Sequence, residues 1–375
     1  MIMQIPIYKP YLPKESLDYA HKALDSTWIS SKGDYIQIVQ EKLQELLNTK
    51  HVLLVNNGTS ACHLVAKALT HKHGINKIIV PNNVYVAAWN AFLFDKEYEL
   101  LGIDADLDTW NFDLQELDIT IKMYPEAAVL VVHNVGNIIN VPELQKKYPS
   151  TVFVEDNCEG FLGTYNGMQS GTAGFASAIS FFGNKNITCG EGGAFITNDE
   201  SAYNFIKSTH AQGQSSTRFI HDILGNNFRM TNIQAAILLG QLEVLPEIWD
   251  RKLSLFENYR DALDGRQDIF MQTMAPDTAH SNWMFGVRIP GNENYEKAEL
   301  YFKGQGIEIR PMFYPIHAHQ YLVNDYSVSW SNCDNAELLN KECFILPSYV
   351  ELTKQEQDHI ITTVEAYIKY NRDKK

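Results

Sequence analysis

Short apolar segments alternate with helical patterns through the first half of the chain, and this alternation restricts the fold more than any other feature of the sequence. The segments His51–Val55, Ile78–Val80, Ala127–Val132 and Thr151–Val154 each stop at a polar residue or a proline. Such alternation is typical of an α/β protein with a mostly parallel sheet and helices on both faces. Ligands bind beyond the carboxyl ends of the strands in these sheets, so we expect the functional site at that edge.

The pattern changes in the last third of the chain. A long helical pattern leads into a strand-like segment, Met284–Ile289, and then into a helix near residues 295–305. This mixture is typical of a smaller α+β unit. We therefore expect a large α/β domain over residues 1–245 and a small C-terminal α+β domain over residues 246–375.

Charge and cysteine content argue against several classes of protein. The 375 residues include 45 acidic and 31 basic side chains, a formal net charge of −14, without a run of basic residues. This balance argues against binding of nucleic acid or of an anionic membrane. The five cysteines form no C-x-x-C pair, and no apolar window approaches the length that spans a membrane. We expect a cytoplasmic protein in a reducing compartment.

The segment Ser180–Gly193 holds the strongest candidate for chemistry. It reads SFFGNKNITCGEGG and places Lys185 between the end of an apolar strand and a glycine-rich turn. Glycines permit close backbone approach and unusual dihedral angles, which suits a lysine bonded to a bulky cofactor. An ordinary surface lysine is the alternative interpretation.

Three further positions add weaker signals. Asp156 ends a buried strand, where it can cap a helix or hold a heteroaromatic nitrogen in its protonated form. Gly58, Thr59 and Ser60 open a helix, where the unpaired N–H groups suit a simple cap or a phosphate. Tyr85 can pack in the core or stack on a flat ring. A pyridoxal phosphate enzyme needs both a lysine and an acid in these roles.

With these motifs the sequence resembles the DegT/DnrJ/EryC1/StrS family of sugar aminotransferases, which are fold type I pyridoxal phosphate enzymes. The most specific matches are Ser180–Gly193 and the NFRMTN segment at residues 227–232. Further matches extend over nearly the whole chain, at Ile5–Pro6, Lys9–Pro10, Trp28–Gly33, Asn57–Ala61, Val154–Asp156 and Arg310–Pro315. The resemblance implies an aspartate aminotransferase-like fold whose large domain, residues 1–245, binds the cofactor.

The resemblance also implies a role for each matched residue. Lys185 would bond to the cofactor and Asp156 would pair with its pyridine nitrogen, as the two catalytic residues. The other cofactor contacts would be Tyr85 on the ring face, Glu159 near the ring hydroxyl, Gly58, Thr59, Ser60 and Ser180 at the phosphate, and Asn227 at the phosphate of the neighbouring subunit. The implied unit is a homodimer with shared sites, and the cofactor alternates between pyridoxal and pyridoxamine phosphate.

Within the family the sequence is most similar to perosamine synthases, which transfer an amino group from L-glutamate to C4 of a GDP-linked 4-keto-6-deoxymannose. UDP- or dTDP-linked 4-keto or 3-keto sugars stay open as substrates, and so does a cofactor-binding module without turnover. Lysine at position 185 favours amino transfer, because relatives with histidine there act as deoxysugar dehydratases. A nicotinamide-binding protein is disfavoured because N-N-G-T-S follows the first strand in place of G-x-G-x-x-G.

The diphosphate of a sugar nucleotide needs cationic partners on this acidic chain. Candidates for substrate binding are Lys32, Arg229, Arg310, Tyr314 and His317, and an ordinary surface or packing role stays open for each. His317 and His319 alternate without a nearby acidic or cysteine ligand in the sequence, so we expect no metal. Departures from the family pattern, which bear on the choice of sugar, occur at Val132–Gly136, Asn157–Cys158 and Asn226.

Overall fold

The computed structural model describes residues 4–95 and 98–373. Residues 1–3 and 374–375, at the outer ends of the two expected domains, lie outside this described part. Its α-helices are α1 (Lys14–Asp25), α2 (Asp34–Leu47), α3 (Gly58–His73), α4 (Ala87–Leu93), α5 (Leu114–Met123), α6 (Val141–Lys147), α7 (Glu200–Thr209), α8 (Asn232–Glu243), α9 (Leu245–Leu263), α10 (Tyr295–Gly304), α11 (Gln320–Asp325), α12 (Asp334–Glu342) and α13 (Lys354–Asp373). Among the described residues, none of these helices combines the length and the apolar character needed to cross a membrane.

The strands form one large sheet and two small ones. They are β1 (His51–Val55), β2 (Lys77–Pro81), β3 (Glu99–Ile103), β4 (Ala128–Val132), β5 (Phe153–Asp156), β6 (Thr164–Tyr165), β7 (Met168–Gln169), β8 (Ala176–Ser180), β9 (Gly193–Thr197), β10 (Thr278–Ala279), β11 (Phe285–Arg288), β12 (Arg310–Pro311), β13 (Val328–Trp330) and β14 (Cys343–Leu346). The large sheet has eight strands in the order β1-β9-β8-β5-β4-β2-β3-β13.

The large sheet is mostly parallel, as the sequence predicts. Only β9 runs antiparallel to its two neighbours, β8 and β1. The central strands β4, β5 and β8 are buried at every position. This is why β4 appears in the sequence as a continuous apolar run, whereas β5 and β8 also bury acidic or hydroxyl side chains. The helix α3 is also buried along most of its length, between the sheet and the helices α4 and α7.

The register of the sheet brings the predicted site residues to one edge. Asp156, the last residue of β5, pairs with Val132 at the end of β4 and with Ala178 in β8. At the other side of β8, both Ser180 and Val55 pair with Gly193. The helix α3, which begins three residues after β1 ends, therefore starts beside the carboxyl end of β8.

The C-terminal part contains the three-stranded antiparallel sheet β11-β14-β12 and its own apolar core. Two segments tie it to the rest of the chain. The strand β13 joins the large sheet by parallel pairing with β3, and Ile5 near the N-terminus forms a bridge with Ile307. The division between residues 1–245 and 246–375 falls at the start of α9 and stays a prediction, since these segments cross it.

Candidate active site

A cavity of about 610 Å³ opens at the carboxyl edge of the large sheet. It is bounded by the start of α3, the ends of β5 and β8, the loop that follows β8, and the segment from Arg310 to Tyr314. The predicted site residues that line it are Gly58, Thr59, Tyr85, Asp156, Glu159, Ser180, Lys185, Arg310 and Tyr314. The structure therefore brings together residues that are far apart in the sequence, at the edge where a ligand is expected.

The N-terminus of α3 forms one end of the cavity. The side chain of Asn57 caps the helix by accepting a hydrogen bond of 2.8 Å from the backbone N–H of Ser60. This leaves the N–H groups of Gly58 and Thr59 as donors of the first turn. Gly58 lies against Ser180 so closely that a Cβ at position 58 would sit 2.7 Å from the Ser180 Cβ. Only glycine keeps this approach, and the positive end of the helix dipole faces the hydroxyl of Ser180 across it.

Asp156 holds a carboxylate at the floor of the cavity. Its side chain is only 7% exposed, and Oδ1 accepts a hydrogen bond of 3.0 Å from the backbone N–H of Cys158. That bond fixes the orientation of the carboxylate, as an Asx turn does, while the group still borders the cavity. Asp156 therefore caps a local turn through Cys158 rather than a helix.

Lys185 also lines the cavity, where it is held against an aromatic ring. Its Nζ is 3.9 Å from the centroid of the Trp283 ring, a short cation–π distance. The indole N–H of Trp283 donates a 3.0 Å hydrogen bond to the carbonyl of Asn184, which is adjacent to Lys185 in the chain. The carbonyl of Trp283 in turn accepts a 2.7 Å bond from the buried Nζ of Lys252 in α9.

Glu159 places a second acidic group in the cavity wall. Burial raises the pKa of Glu159 to about 7, although the nearby ammonium of Lys185 opposes this shift. Its Oε2 accepts a 2.7 Å hydrogen bond from the N–H of Val135, a β-branched residue with a left-handed φ of 58°. The bond stabilises a strained turn within Val132–Gly136, where the chain departs from the family pattern.

Two thiols lie beside Asp156. Cys62 in α3 and Cys158 both line the cavity, and their Sγ atoms lie within 4.8 Å of each other. The pKa of the Cys158 thiol lies well above its ordinary value because of the neighbouring Cys62 thiol and burial. The Cys158 thiol has the opposite effect on Cys62, but burial and the charge of Asp156 outweigh it and raise the pKa of Cys62 as well.

Five predicted site residues do not line the cavity. Ser60 is buried, and its backbone N–H is already bonded to Asn57. His317 lies outside the lining and pairs with Glu337 at 3.1 Å, whereas His319 is part of the lining. The remaining three also lie outside the lining: Lys32 and Asn227 are exposed, and Arg229 is half-buried.

Sequence reasoning missed Trp283, Lys252 and Cys62. Trp283 contacts the lysine loop across 99 residues of chain, and no local pattern marks it. Lys252 reads as an ordinary charge on a helix, yet it is only 4% exposed. Cys62 appears as one apolar position in α3, and only the fold brings it to Cys158. Long-range packing sets all three contacts, so a single sequence does not reveal them.

Comparisons with known proteins agree with this geometry. The model of the DegT/DnrJ/EryC1/StrS aminotransferase family matches residues 10–365. The chain is 33% identical to the GDP-perosamine synthase of Escherichia coli O157:H7 over 366 residues, which cover 97% of this chain and 98% of that protein. It is 30% identical to the GDP-perosamine synthase of Vibrio cholerae, over 97% of this chain and 99% of that protein.

Solved structures show the same fold. An Escherichia coli GDP-4-keto-6-deoxy-D-mannose-3-dehydratase with bound hydrated PLP superimposes with a TM-score of 0.89, at 22% identity, over 97% of this chain and all (100%) of that one. The aminotransferase PseC of Helicobacter pylori superimposes with a TM-score of 0.87, at 23% identity, over 98% of this chain and 100% of that one. The fold is that of the fold type I pyridoxal phosphate enzymes, and the chain belongs to the DegT/DnrJ/EryC1/StrS family of pyridoxal phosphate-dependent sugar aminotransferases.

Proposed function

We propose that this enzyme transfers the amino group of L-glutamate to C4 of GDP-linked 4-keto-6-deoxymannose and so makes a nucleotide-linked 4-amino-4,6-dideoxysugar. The observation that carries the proposal is the placement of Lys185 and Asp156 in one cavity, with the first turn of α3 at its end. The two GDP-perosamine synthases, 33% and 30% identical over nearly the whole chain, support the choice of sugar and nucleotide.

The residues of the cavity fit pyridoxal phosphate. A phosphate group suits the N–H groups of Gly58 and Thr59 and the hydroxyl of Ser180, where a Cβ at position 58 would close the gap. A heteroaromatic ring suits the space between the carboxylate of Asp156 and the amine of Lys185. Tyr85 is 58% exposed at the rim of the cavity, so its ring is free to stack on such a group.

The bound cofactor would supply an electron sink for the reaction and would carry the amino group from the first half-reaction to the second. We assign the proton transfers of the reaction to this chain's own residues. Asp156 keeps the proton on the ring nitrogen, because a buried carboxylate favours the charged form of a partner cation. The amine of Lys185, once free, would take the proton from Cα of glutamate and deliver it to the carbon that bonds the amino group to the cofactor. In the second half-reaction it would move a proton in the reverse direction, from that carbon to C4 of the sugar. Trp283 limits where this amine can move.

The lysine at position 185 favours amino transfer over dehydration. A primary amine both bonds to an aldehyde and acts as a base, whereas an imidazole in this position serves only as a base. The dehydratase that shares the fold is only 22% identical, so its activity carries no argument for this chain.

The proposed unit is a homodimer with shared active sites. Asn227 is exposed and lies outside the lining of its own cavity, so it can serve a cofactor phosphate only in another subunit. Its Oδ1 accepts a 3.2 Å hydrogen bond from Nε of Arg229. The N–H of Asn232, which opens α8, donates a 2.6 Å bond to the carbonyl of Ser30. Lys32 therefore lies near this surface, where we place the contact between subunits.

We propose that Arg310 and Tyr314 contact the sugar nucleotide within the same subunit, since both line the cavity. Lys32 and Arg229 would reach the diphosphate of a substrate bound in the partner's cavity. His317 is the weakest of the predicted contacts because its ring is paired with Glu337 outside the lining. A cytoplasmic location is also proposed, because all five cysteines are unpaired as in proteins of reducing compartments.

The test separates the two half-reactions. The purified protein with pyridoxal phosphate is mixed with glutamate, and 2-oxoglutarate release and conversion of the cofactor absorbance to the pyridoxamine form are followed. We expect one 2-oxoglutarate per active site. Absence of conversion would contradict amino transfer and favour a cofactor-binding module without turnover.

The second half-reaction is tested with a panel of sugar nucleotides. The pyridoxamine form receives GDP-, UDP- and dTDP-linked 4-keto sugars and a 3-keto sugar in parallel, and return of the pyridoxal absorbance is measured. We expect the GDP-linked 4-keto-6-deoxymannose to react fastest. Preference for another nucleotide or for the 3-keto sugar would overturn the substrate assignment and leave the aminotransferase assignment intact.

A further inference from the structure

The cavity contains a cluster of potential metal ligands, two of which, the thiols of Cys62 and Cys158, have no role in the proposed reaction. Sγ of Cys62, Sγ of Cys158 and a carboxylate oxygen of Asp156 all lie within 4.8 Å of one another. Cys62 comes from the first turns of α3, and Cys158 follows β5 by two residues. Among residues 4–95 and 98–373, this is the one group of three such side chains close enough to hold a metal ion.

The chemistry of the cluster suits a thiophilic divalent cation. Thiolates and carboxylates are both ligands of zinc, and the two soft thiolates favour a thiophilic ion such as zinc or cadmium, its heavier analogue. Neighbouring donors on a tetrahedral zinc ion lie about 3.7 Å apart, so a small rotation of the side chains closes the set. The hydrogen bond from the Cys158 N–H already fixes the Asp156 carboxylate, which is the kind of support that metal ligands need.

The cluster also has an open side. All three residues line the cavity of about 610 Å³, so an ion can enter from it and a water molecule can complete the coordination. The same carboxylate is the group that we assign to the cofactor's ring nitrogen. One Asp156 cannot serve both partners, because a bound dication would occupy its charge and repel a protonated ring.

We propose that Cys62, Cys158 and Asp156 form a binding site for one thiophilic dication such as Cd²⁺ or Zn²⁺, and that this ion and pyridoxal phosphate exclude each other. Each thiol releases its proton to water as its metal–sulfur bond forms, and no electron is transferred. The site is inhibitory and takes no part in amino transfer. The mutual exclusion rests on the proposed role of Asp156, whereas the binding itself does not.

The first experiment measures binding to the full chain after removal of the cofactor. Cadmium chloride is titrated in, and the ultraviolet sulfur-to-cadmium charge-transfer absorption is recorded. We expect saturation at one equivalent with an intensity typical of two thiolates. The variants Cys62→Ser and Cys158→Ser should each show half the absorption and bind at least about 10-fold more weakly, as loss of one ligand predicts.

Cys189→Ser is the matched control, because Cys189 is as buried as Cys62 but belongs to no group of three potential metal ligands among the described residues. It should titrate like the parent protein. Each variant is checked by its circular dichroism spectrum and thermal midpoint, so that loss of binding is not confused with loss of folding. Undiminished cadmium absorption in folded Cys62→Ser and Cys158→Ser would overturn the site.

The second experiment tests exclusion. We expect a saturating level of pyridoxal phosphate to weaken cadmium binding at least about 10-fold, as competition for one site requires. Simultaneous binding of both would refute the exclusion. Asp156→Asn keeps the bond to Cys158 but should weaken cadmium binding. If the cofactor proved to bond elsewhere than at Lys185, cadmium would still bind to the three residues, but pyridoxal phosphate would no longer weaken its binding. Failure of the proposed cofactor site can therefore be told apart from failure of the proposed metal site.

Discussion

Trp283 shows how one side chain from outside the sheet controls the reactive amine. Its ring lies 3.9 Å from Nζ of Lys185, and its indole N–H holds the carbonyl of Asn184. The ring thus restricts the amine by a cation–π contact, and the hydrogen bond restricts the backbone that carries it. We regard Trp283 as a positioning residue.

Replacing Trp283 with leucine removes both contacts, whereas phenylalanine keeps a ring. We expect the glutamate half-reaction of Trp283→Leu to slow about 10-fold, because a small misplacement of a reacting group is costly, and Trp283→Phe to lose less. Single-turnover absorbance measures the rate. Trp283 lines the cavity and Trp249 does not. Binding of pyridoxal phosphate should therefore quench less of the tryptophan fluorescence in Trp283→Phe, which lacks the cavity tryptophan, than in Trp249→Phe, which keeps it. Equal quenching in the two variants would place Trp283 away from the cofactor.

The placement of Lys185 and Asp156 in one cavity could be predicted because each stands in a short motif near the end of a buried strand, and their roles stay predictions. The contact between Trp283 and Lys185 could not, since it depends on how the C-terminal part packs on the sheet. The position of Ser60 outside the cavity lining could not be predicted either. The sequence does not tell whether the backbone N–H of Ser60 bonds to a phosphate or, as the structure has it, to the side chain of Asn57.

The start of α3 is the element that combines a helix cap with the cofactor site. We expect Asn57→Ala to cost about 1 kcal/mol of stability, because the N–H of Ser60 loses its acceptor. It should also weaken cofactor binding several-fold, since the N–H groups of Gly58 and Thr59 are then less well oriented.

Asp113→Ala is the control, because Asp113 caps α5 by accepting from the N–H groups of Gln115 and Glu116, outside the cavity lining. It should cost similar stability and leave the dissociation constant of pyridoxal phosphate unchanged. Urea unfolding and a fluorescence titration measure the two quantities. Equal loss of cofactor affinity in both variants would contradict a phosphate site at α3.

Lys252 couples α9 to the segments on either side of the small sheet. Its Nζ donates to the carbonyls of Trp283 and Ser348, and burial lowers the pKa of Lys252 to about 7. The unfolded chain, with an ordinary lysine, therefore binds more protons between pH 7 and pH 10, and this group makes the free energy of unfolding rise with pH in that range.

We compare the parent protein with Lys252→Met by urea unfolding at pH 7 and pH 9. The difference in free energy of unfolding, parent minus Lys252→Met, should increase by about 2 kcal/mol from pH 7 to pH 9. The hydrogen bonds to the two carbonyls favour the ammonium form and so make this increase smaller. A difference that stays constant or falls with pH would show that Lys252 keeps its charge in the folded state.

Strand boundaries show what local sequence can and cannot give. The predicted segment His51–Val55 coincides with β1, because an apolar run bounded by polar residues permits few alternatives. The antiparallel strand β9 was not predicted, since its residues Gly193–Thr197 follow the glycine-rich turn and carry no directional signal. The direction of β9 follows from pairing with β8 and β1, which only the fold determines.

At the scale of the whole molecule, the proposed shared sites can be tested by mixing two inactive variants. Lys185→Ala loses its own lysine but keeps Asn227, and Asn227→Ala does the reverse. In a mixed dimer with shared sites, one site contains both intact residues. Equal mixing should therefore restore activity to about a quarter of that of the parent protein, as two-fold symmetry requires.

The measurement is 2-oxoglutarate release after the two proteins are mixed and allowed to exchange subunits. Subunit exchange is verified with differently tagged chains. If verified mixed dimers show only the sum of the activities of the two variants, each subunit would hold a complete site of its own.

The overall architecture could be predicted because the alternation of apolar runs and helical patterns admits essentially one class of sheet. The path of the C-terminal part was less accessible. The strand β13 returns to the large sheet although its three residues, Val328–Trp330, are half-exposed and lack a long apolar run. The bridge between Ile5 and Ile307 similarly depends on a contact between the N-terminal segment and the C-terminal part of the chain.

The most direct test of the central claim is to locate the lysine that bonds to the cofactor. The protein loaded with pyridoxal phosphate is reduced with borohydride, digested, and mapped by mass spectrometry. We predict a single pyridoxyl group on Lys185, which should be lost in Lys185→Ala. A pyridoxyl group on another lysine, or none on a protein whose cofactor absorbance shows it to be loaded, would contradict the account.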